Sequence, residues 1–162
     1  MIDHYDYYVS GIKINTQVPR FEATFIATHT RVTQTLDRIL NDYEGCFIAF
    51  YPSEFTAELP AFLARFEACA QGYPTVYFVA IGPNPSPVLE AYLASQPAYP
   101  SVHFVANANR QIGEAYGILN ETAGQFEPAL FFVRKSGLLK QFAQASRLSE
   151  LNPEAFLPPV LT

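Results

Sequence analysis

The chain has 162 residues, of which 49% are hydrophobic, 15% aromatic and only 15% charged, and its formal net charge is −5. That length fits one domain with a sizeable core, so residues 1–162 are read as a single unit, and so low a charge content leaves apolar surface for a partner. Scattered Lys and Arg without a basic run argue against nucleic acid. The longest apolar runs, such as 46–51 and 129–133, are far too short for membrane insertion. The N-terminus, MIDHYDYYVS, carries Asp where a signal peptide needs positive charge, and a cytoplasmic location is expected. Two cysteines, Cys46 and Cys69, form neither a CxxC pair nor a metal-ligand grouping, and reduced thiols suit that compartment. His4, His29 and His103 lack ligand spacing, so no metal is expected, and no cofactor.

In chain order, residues 1–10 read as an aromatic, polar N-terminal arm, either a tail, a strip packed on its own domain, or a partner contact. Residues 23–27 are rich in β-branched and aromatic side chains and read as a strand, with 31–33 as a short return strand. Thr35 can cap a helix over 36–41, whose apolar stripe is Leu36, Ile39 and Leu40. Residues 46–51 are continuously apolar between Gly45 and Pro52. That pattern predicts a strand buried on both faces and parallel to its neighbours. A helix follows, starting between Thr56 and Pro60 and running to about Ala70. Its apolar positions, Leu59, Phe62, Leu63, Phe66 and Ala70, follow the helical period, and Pro60 fits only its first turn.

Residues 75–81 predict a second buried strand, 82–87 a rigid loop, and Ser86 or Pro87 the start of another helix. Residues 102–105 are a short strand, and Asn107 to Arg110 open a helix over 111–116. Residues 129–133 and 137–142 predict a β-hairpin with Gly137 at its turn. A short last helix is expected over 149–156, with Pro153 near its start and Pro158-Pro159 after it. The order of elements predicts an α/β thioredoxin-like fold: a central mixed sheet with helices on both faces and a C-terminal β-hairpin.

The stretch CFIAFYPSEFTAELPAFLARFEAC, residues 46–69, brings the end of a strand to the start of a helix, where backbone N–H groups and the helix dipole favour negative charge. It resembles the active-site segment of the peroxiredoxins, the alkyl hydroperoxide reductase and thiol-specific antioxidant family. Val18-Pro19-Arg20-Phe21 and the stretch ending Ala115-Tyr116-Gly117 resemble further landmarks of that family, and the likeness covers about residues 12–142. The family motif places Pro, then Thr, then the peroxide-reducing Cys. Pro52 and Thr56 match it, and Leu59 stands at the Cys position. The resemblance also implies an Arg at the start of the strand before the hairpin, and Pro128 stands there. No Cys occupies the C-terminal resolving position.

The resemblance therefore implies a peroxiredoxin-like protein whose usual chemistry is removed, with Pro52, Thr56, Leu59 and Pro128 as vestigial positions. The favoured reading is a protein-binding, assembly or regulatory module, either self-associating as a dimer or holding a protein partner through Tyr51, Phe55, Pro83 and Pro85. The alternative is a thiol-dependent antioxidant, peroxidase or redox sensor using Cys69 or Cys46, and a third reading is a small-molecule carrier. Plainer roles weigh against the chemistry. Cys69 lies near the C-terminal end of its helix, where the dipole raises a thiol pKa, and Cys46 begins a buried strand. Glu54 and Glu58 complement the helix dipole, and Thr56 serves as an N-cap. The stretch Phe126-Glu127-Pro128-Ala129 looks like thioredoxins, which implies a cis Glu127–Pro128 bond shaping a peptide groove.

Overall fold

The computed structural model describes residues 12–28 and 30–157. The N-terminal arm with His4, the residue His29 and the Pro158-Pro159 stop lie outside them. Among the described residues, nine strands and four helices follow one another: β1 (Glu22–Ala27), β2 (Thr30–Thr35), α1 (Leu36–Asp42), β3 (Gly45–Phe50), α2 (Leu59–Gly72), β4 (Val76–Gly82), α3 (Ser86–Ala94), β5 (Val102–Ala106), α4 (Gln111–Ala115), β6 (Leu119–Asn120), β7 (Gln125–Phe126), β8 (Ala129–Arg134) and β9 (Leu139–Gln144). Seven strands form one sheet in the order β2-β1-β5-β4-β3-β8-β9, and β6 and β7 form a separate two-stranded ladder.

The expected mixed sheet is present. The crossovers through α2 and α3 make β3, β4 and β5 parallel, whereas β8 and β9 close one side as an antiparallel hairpin and β1 meets β5 antiparallel. The expectation that β3 runs parallel to its neighbours thus holds on one side only. A hairpin strand returning to the sheet centre must oppose β3, so Phe50 pairs with Ala129 on β8 and with Ile81 on β4.

Burial on both faces follows from that central place. Residues 46–51 have no exposed surface, and their alternation divides them between two cores. Cys46, Ile48 and Phe50 join Leu36, Ile39 and Leu40 of α1 and Ile112 of α4. Phe47, Ala49 and Tyr51 join Leu59, Phe62, Leu63 and Phe66 of α2 and Leu89 of α3. Helices therefore cover both faces. The Phe47 ring lies 5.4 Å from Phe66 and Phe78, 5.7 Å from Phe132 and 5.3 Å from Phe156, centroid to centroid.

Helix α1 begins where the sequence places it. The Thr35 hydroxyl accepts the Arg38 N–H at 3.1 Å. Its far end is closed from a distance: Lys135 Nζ, at the turn of the β8–β9 hairpin, donates to the carbonyls of Leu40, Asn41 and Tyr43 at 3.0, 2.8 and 3.2 Å, satisfying groups that no helical N–H can reach. Gly137 takes the left-handed conformation (φ 88°) that this turn demands.

Two local expectations are corrected. The last helix is instead a pair of 3₁₀ turns, Leu148–Glu150 and Pro153–Ala155, because Pro153 cannot donate to a continuing α-helical ladder. Helix α2 begins at Leu59, within the expected range, but Thr56 is not its N-cap. The Thr56 carbonyl accepts the Leu59 N–H at 3.1 Å, and the N-cap position falls on Glu58 with no side-chain capping bond.

Phe47→Ala is expected to cost about 3–5 kcal/mol of unfolding free energy, measured by reversible guanidinium denaturation. A loss below about 1 kcal/mol would show a core that collapses into the vacated space.

Candidate functional site

The junction between β3 and α2 is a sequence of tight turns. Ser53 Oγ accepts the Phe55 N–H at 3.1 Å, and the Ser53 carbonyl accepts the Thr56 N–H at 3.2 Å. These bonds replace the strand ladder that ends when Tyr51 N–H reaches the Ile81 carbonyl at 3.1 Å. Pro52, with no N–H to offer, marks the change.

Tyr51 is the last residue of the buried alternation, so its hydroxyl points into a dry layer and needs an acceptor. Glu54 supplies it: Tyr51 Oη donates to Oε2 at 2.6 Å, and Asn84 Nδ2, from the β4–α3 loop, donates to Oε1 at 2.7 Å. The same Asn84 nitrogen lies 3.2 Å from Ser53 Oγ. Burial, then the charge of Glu54 and the hydrogen bond to it, push the Tyr51 phenol well above its usual range, so Tyr51 remains a donor. Tyr92 of α3 is pushed up to about 12, chiefly by burial, with Tyr99 and Glu54 adding to it. Tyr92 Oη is buried without a hydrogen-bond partner among the described residues. The ring of Tyr51 passes where Gly82 has no side chain, and a Cβ on Gly82 would fall 2.4 Å from it.

Glu58 has a different task. Its carboxylate accepts from Arg147 Nε at 2.9 Å and from Arg147 Nη2, from the Ser149 N–H at 3.3 Å and from Ser149 Oγ at 3.1 Å. About two turns on, Arg65 donates to Glu154 at 2.9 and 3.0 Å, to Asn152 Oδ1 at 2.9 Å and to the Leu151 carbonyl at 2.9 Å. Leu148, Leu151 and Phe156 enter the core beneath. Two arginines thus strap the C-terminal segment along α2. Glu54 and Glu58, read from the sequence as a dipole-complementing pair, serve separate networks.

Leu59 occupies the first position of α2 and is fully buried in the core shared with Tyr51. Thr56 is half-buried in the turn before it. Pro128 lies one register step beyond the Phe50–Ala129 pair, at the same end of the sheet, and its carbonyl accepts the Ala145 N–H at 3.0 Å. The four motif positions therefore gather around the C-terminal end of β3. The Glu127–Pro128 bond is trans, since no cis peptide occurs among the described residues. The argument for a peptide groove built on a cis bond falls with it: β8 runs straight into its ladder with β3. Among the residues proposed as contacts, Phe55 is 81% exposed and Pro85 is exposed, but Tyr51 and Pro83 are buried and offer no surface.

The thiols lie elsewhere. Cys46 is buried on β3, and burial pushes its pKa up. Cys69, half-buried on α2, is also raised, first by burial and then by the charge of Glu154, against a lowering by Arg65. His103 stacks on Tyr77 with centroids 4.1 Å apart, and its Nδ1 lies 3.3 Å from the Phe78 carbonyl. No cluster of three metal-ligating residues occurs among the described residues. A cavity of about 720 Å³ lies between β1 and α4. Its two arginines are already paired, Arg20 with Asp37 and Arg31 with Glu90.

The sequence profile of the AhpC/TSA family matches residues 14–142. The chain belongs to the AhpC/TSA family. Its fold is that of the peroxiredoxins. It superimposes on Enterococcus faecalis AhpC with a TM-score of 0.80 at 20% identity, covering 91% of this chain and 90% of that one. For Mycobacterium tuberculosis AhpC the TM-score is 0.75 at 15% identity, over 89% and 88%. For reduced Plasmodium vivax 2-Cys peroxiredoxin it is 0.78 at 14% identity, over 91% and 93%. No curated protein sequence matches the chain. No helix among the described residues of this AhpC/TSA member is long and apolar enough to cross a membrane.

Asn84, Tyr92 and Arg147 are the site residues that sequence reasoning missed. Asn84 had one signal, a polar residue that accepts tight turns inside GPNPSP. Tyr92 and Arg147 had none: the burial of the Tyr92 hydroxyl is set by the fold, and Arg147 meets Glu58 from 89 positions away.

Tyr51→Phe leaves Glu54 short of a donor in a buried place and is expected to cost about 1–3 kcal/mol, read by denaturant unfolding. The strap gives a pH dependence. Partial desolvation acts to raise the Glu58 carboxyl, but hydrogen bonds from Arg147 and Ser149 together hold it below its ordinary 4.5. Hydrogen bonds from Arg65 likewise hold Glu154 below 4.5. Groups lowered in the folded state stabilise above their unfolded pKa and cease to do so as pH falls through the folded value. Amide hydrogen exchange over residues 146–157 should therefore keep its protection from pH 7 to 5 and lose it only below 4.5. Protection lost at higher pH would assign the strap to other groups.

Proposed function

We propose that this AhpC/TSA chain is a catalytically degenerate peroxiredoxin that acts as a protein-binding or assembly module. The observation that carries the reading is Leu59. A hydrocarbon side chain, fully buried, stands at the first position of the helix where the family motif puts its thiol, and it has no lone pair with which to attack an O–O bond. Pro128 in place of the expected Arg supports the reading, since no guanidinium extends from that position. Arg147 does bring one to the start of α2, but Glu58 holds it.

The remaining thiols give the alternative, a residual antioxidant or redox sensor, little support. A thiolate nucleophile needs a lowered pKa, and both Cys46 and Cys69 are raised. A binding role is favoured by Phe55, an aromatic ring left in solvent beside an apolar groove.

Peroxide consumption with a thiol reductant, together with intact mass after oxidation, tests this. No turnover above buffer and no oxidised species at stoichiometric peroxide are expected. Turnover that disappears in Cys69→Ser would restore the enzyme reading.

A further inference from the structure

The loop that carries Glu54 and Phe55 faces α3 across a groove of about 460 Å³, lined by Glu54, Phe55, Pro87, Val88, Ala91 and Tyr92. Its walls are apolar apart from two oxygen-bearing groups. One is the Glu54 carboxylate, only 5% exposed. The other is Tyr92 Oη, which has no hydrogen-bond partner among the described residues.

A carboxylate withdrawn from water is normally matched by a cation. Among the described residues Glu54 has neutral donors alone, Tyr51 Oη and Asn84 Nδ2. A carboxylate offers about four lone-pair directions, so it can accept further hydrogen bonds. No cation among the described residues takes that place. The described ion pairs commit Arg20 to Asp37, Arg31 to Glu90, Arg38 to Asp42, Arg65 to Glu154 and Arg147 to Glu58. Lys135 is spent on the carbonyls at the end of α1.

We propose that this groove receives a lysine side chain of a protein partner, its ammonium seated on Glu54 and Tyr92 and its stem lying against Pro87, Val88 and Ala91. The inference rests on the reading of the chain as a protein-binding module and names the chemistry of the partner. An ammonium has three N–H donors and no acceptor. It can give one to the free acceptor capacity of Glu54 and one to Tyr92 Oη, while the exposed Phe55 ring closes over the site as a cation–π wall. The apolar walls favour hydrophobic residues beside the lysine. The net charge of −5 favours a basic partner in the approach.

The test is an NMR titration of the isotope-labelled chain with Ac-Ala-Leu-Lys-Leu-Ala-NH2, and with its twin carrying acetyl-lysine. Saturable shifts should centre on Phe55, Val88, Ala91 and Tyr92, and the acetylated twin should bind at least about tenfold more weakly, because acetylation removes the charge. Phe55→Ala changes an exposed ring and leaves the core intact, and it should weaken binding. Glu54→Gln should weaken it further, and Glu121→Gln, at an exposed position outside the groove, should not. Equal response to both peptides, shifts centred elsewhere, or no shift up to millimolar peptide would overturn the proposal. So would groove resonances that change with protein concentration alone, which would place a second copy in the groove. Peroxide turnover in the assay above would instead overturn the module reading, whatever the peptides do.

Discussion

Strand β3 has water on neither side, and its dryness sets what its end can be. Six consecutive residues, 46–51, alternate between two cores. The last of them is a tyrosine, which brings a hydroxyl into a layer of Phe and Leu. That hydroxyl must be answered. Glu54 answers it from three residues on, and Asn84 answers Glu54 from the next crossover. Gly82 on β4 leaves the space through which the ring passes. The polar cluster at the top of the sheet is thus the local price of ending a two-sided buried strand in Tyr.

The start of α2 follows a related economy. The helix begins without a side-chain cap, because the carboxylate at its N-cap position is turned outward to Arg147 and Ser149. Its outer flank is then committed to the chain's own last segment through Arg65, with Leu148, Leu151 and Phe156 pressed into the core beneath. Such a helix is held at two points by a strap, so its first turns gain stability from contacts remote in sequence and not from capping chemistry nearby.

Much of this was legible beforehand. The apolar run 46–51, the helical stripe from Leu59 to Ala70 and the Gly137 hairpin all appear where periodicity and turn chemistry put them, since burial pattern and local geometry act over a few residues. What escaped depends on distance. The antiparallel pairing of β3 with β8 is set by topology, and no property of either strand reveals it. Thr56 looks like a cap because Thr often is one, but the helix starts three residues later, after a turn built by Ser53. Tyr51 fits both the end of a buried strand and a partner contact, and the bond of its hydroxyl to Glu54 shows that it is inside. The α/β class was readable from the order of the elements, whereas the networks around Glu54 and Glu58 join residues up to 91 positions apart.

The lysine that closes α1 bears on how this chain comes into being. Helix α1 has seven residues, too few to persist alone in water, and the ammonium that holds its terminal carbonyls arrives 95 residues after Leu40. At a ribosomal pace of roughly 5–20 residues per second, that interval is on the order of 5–20 s. Over the same interval one edge of β3 waits for β8 with its hydrogen-bonding groups open and apolar side chains on both faces. The nascent chain passes through a stage with an unpaired, aromatic strand edge, the form most exposed to wrong pairing. Its yield in a cell therefore depends on what shields that edge until the hairpin has been made.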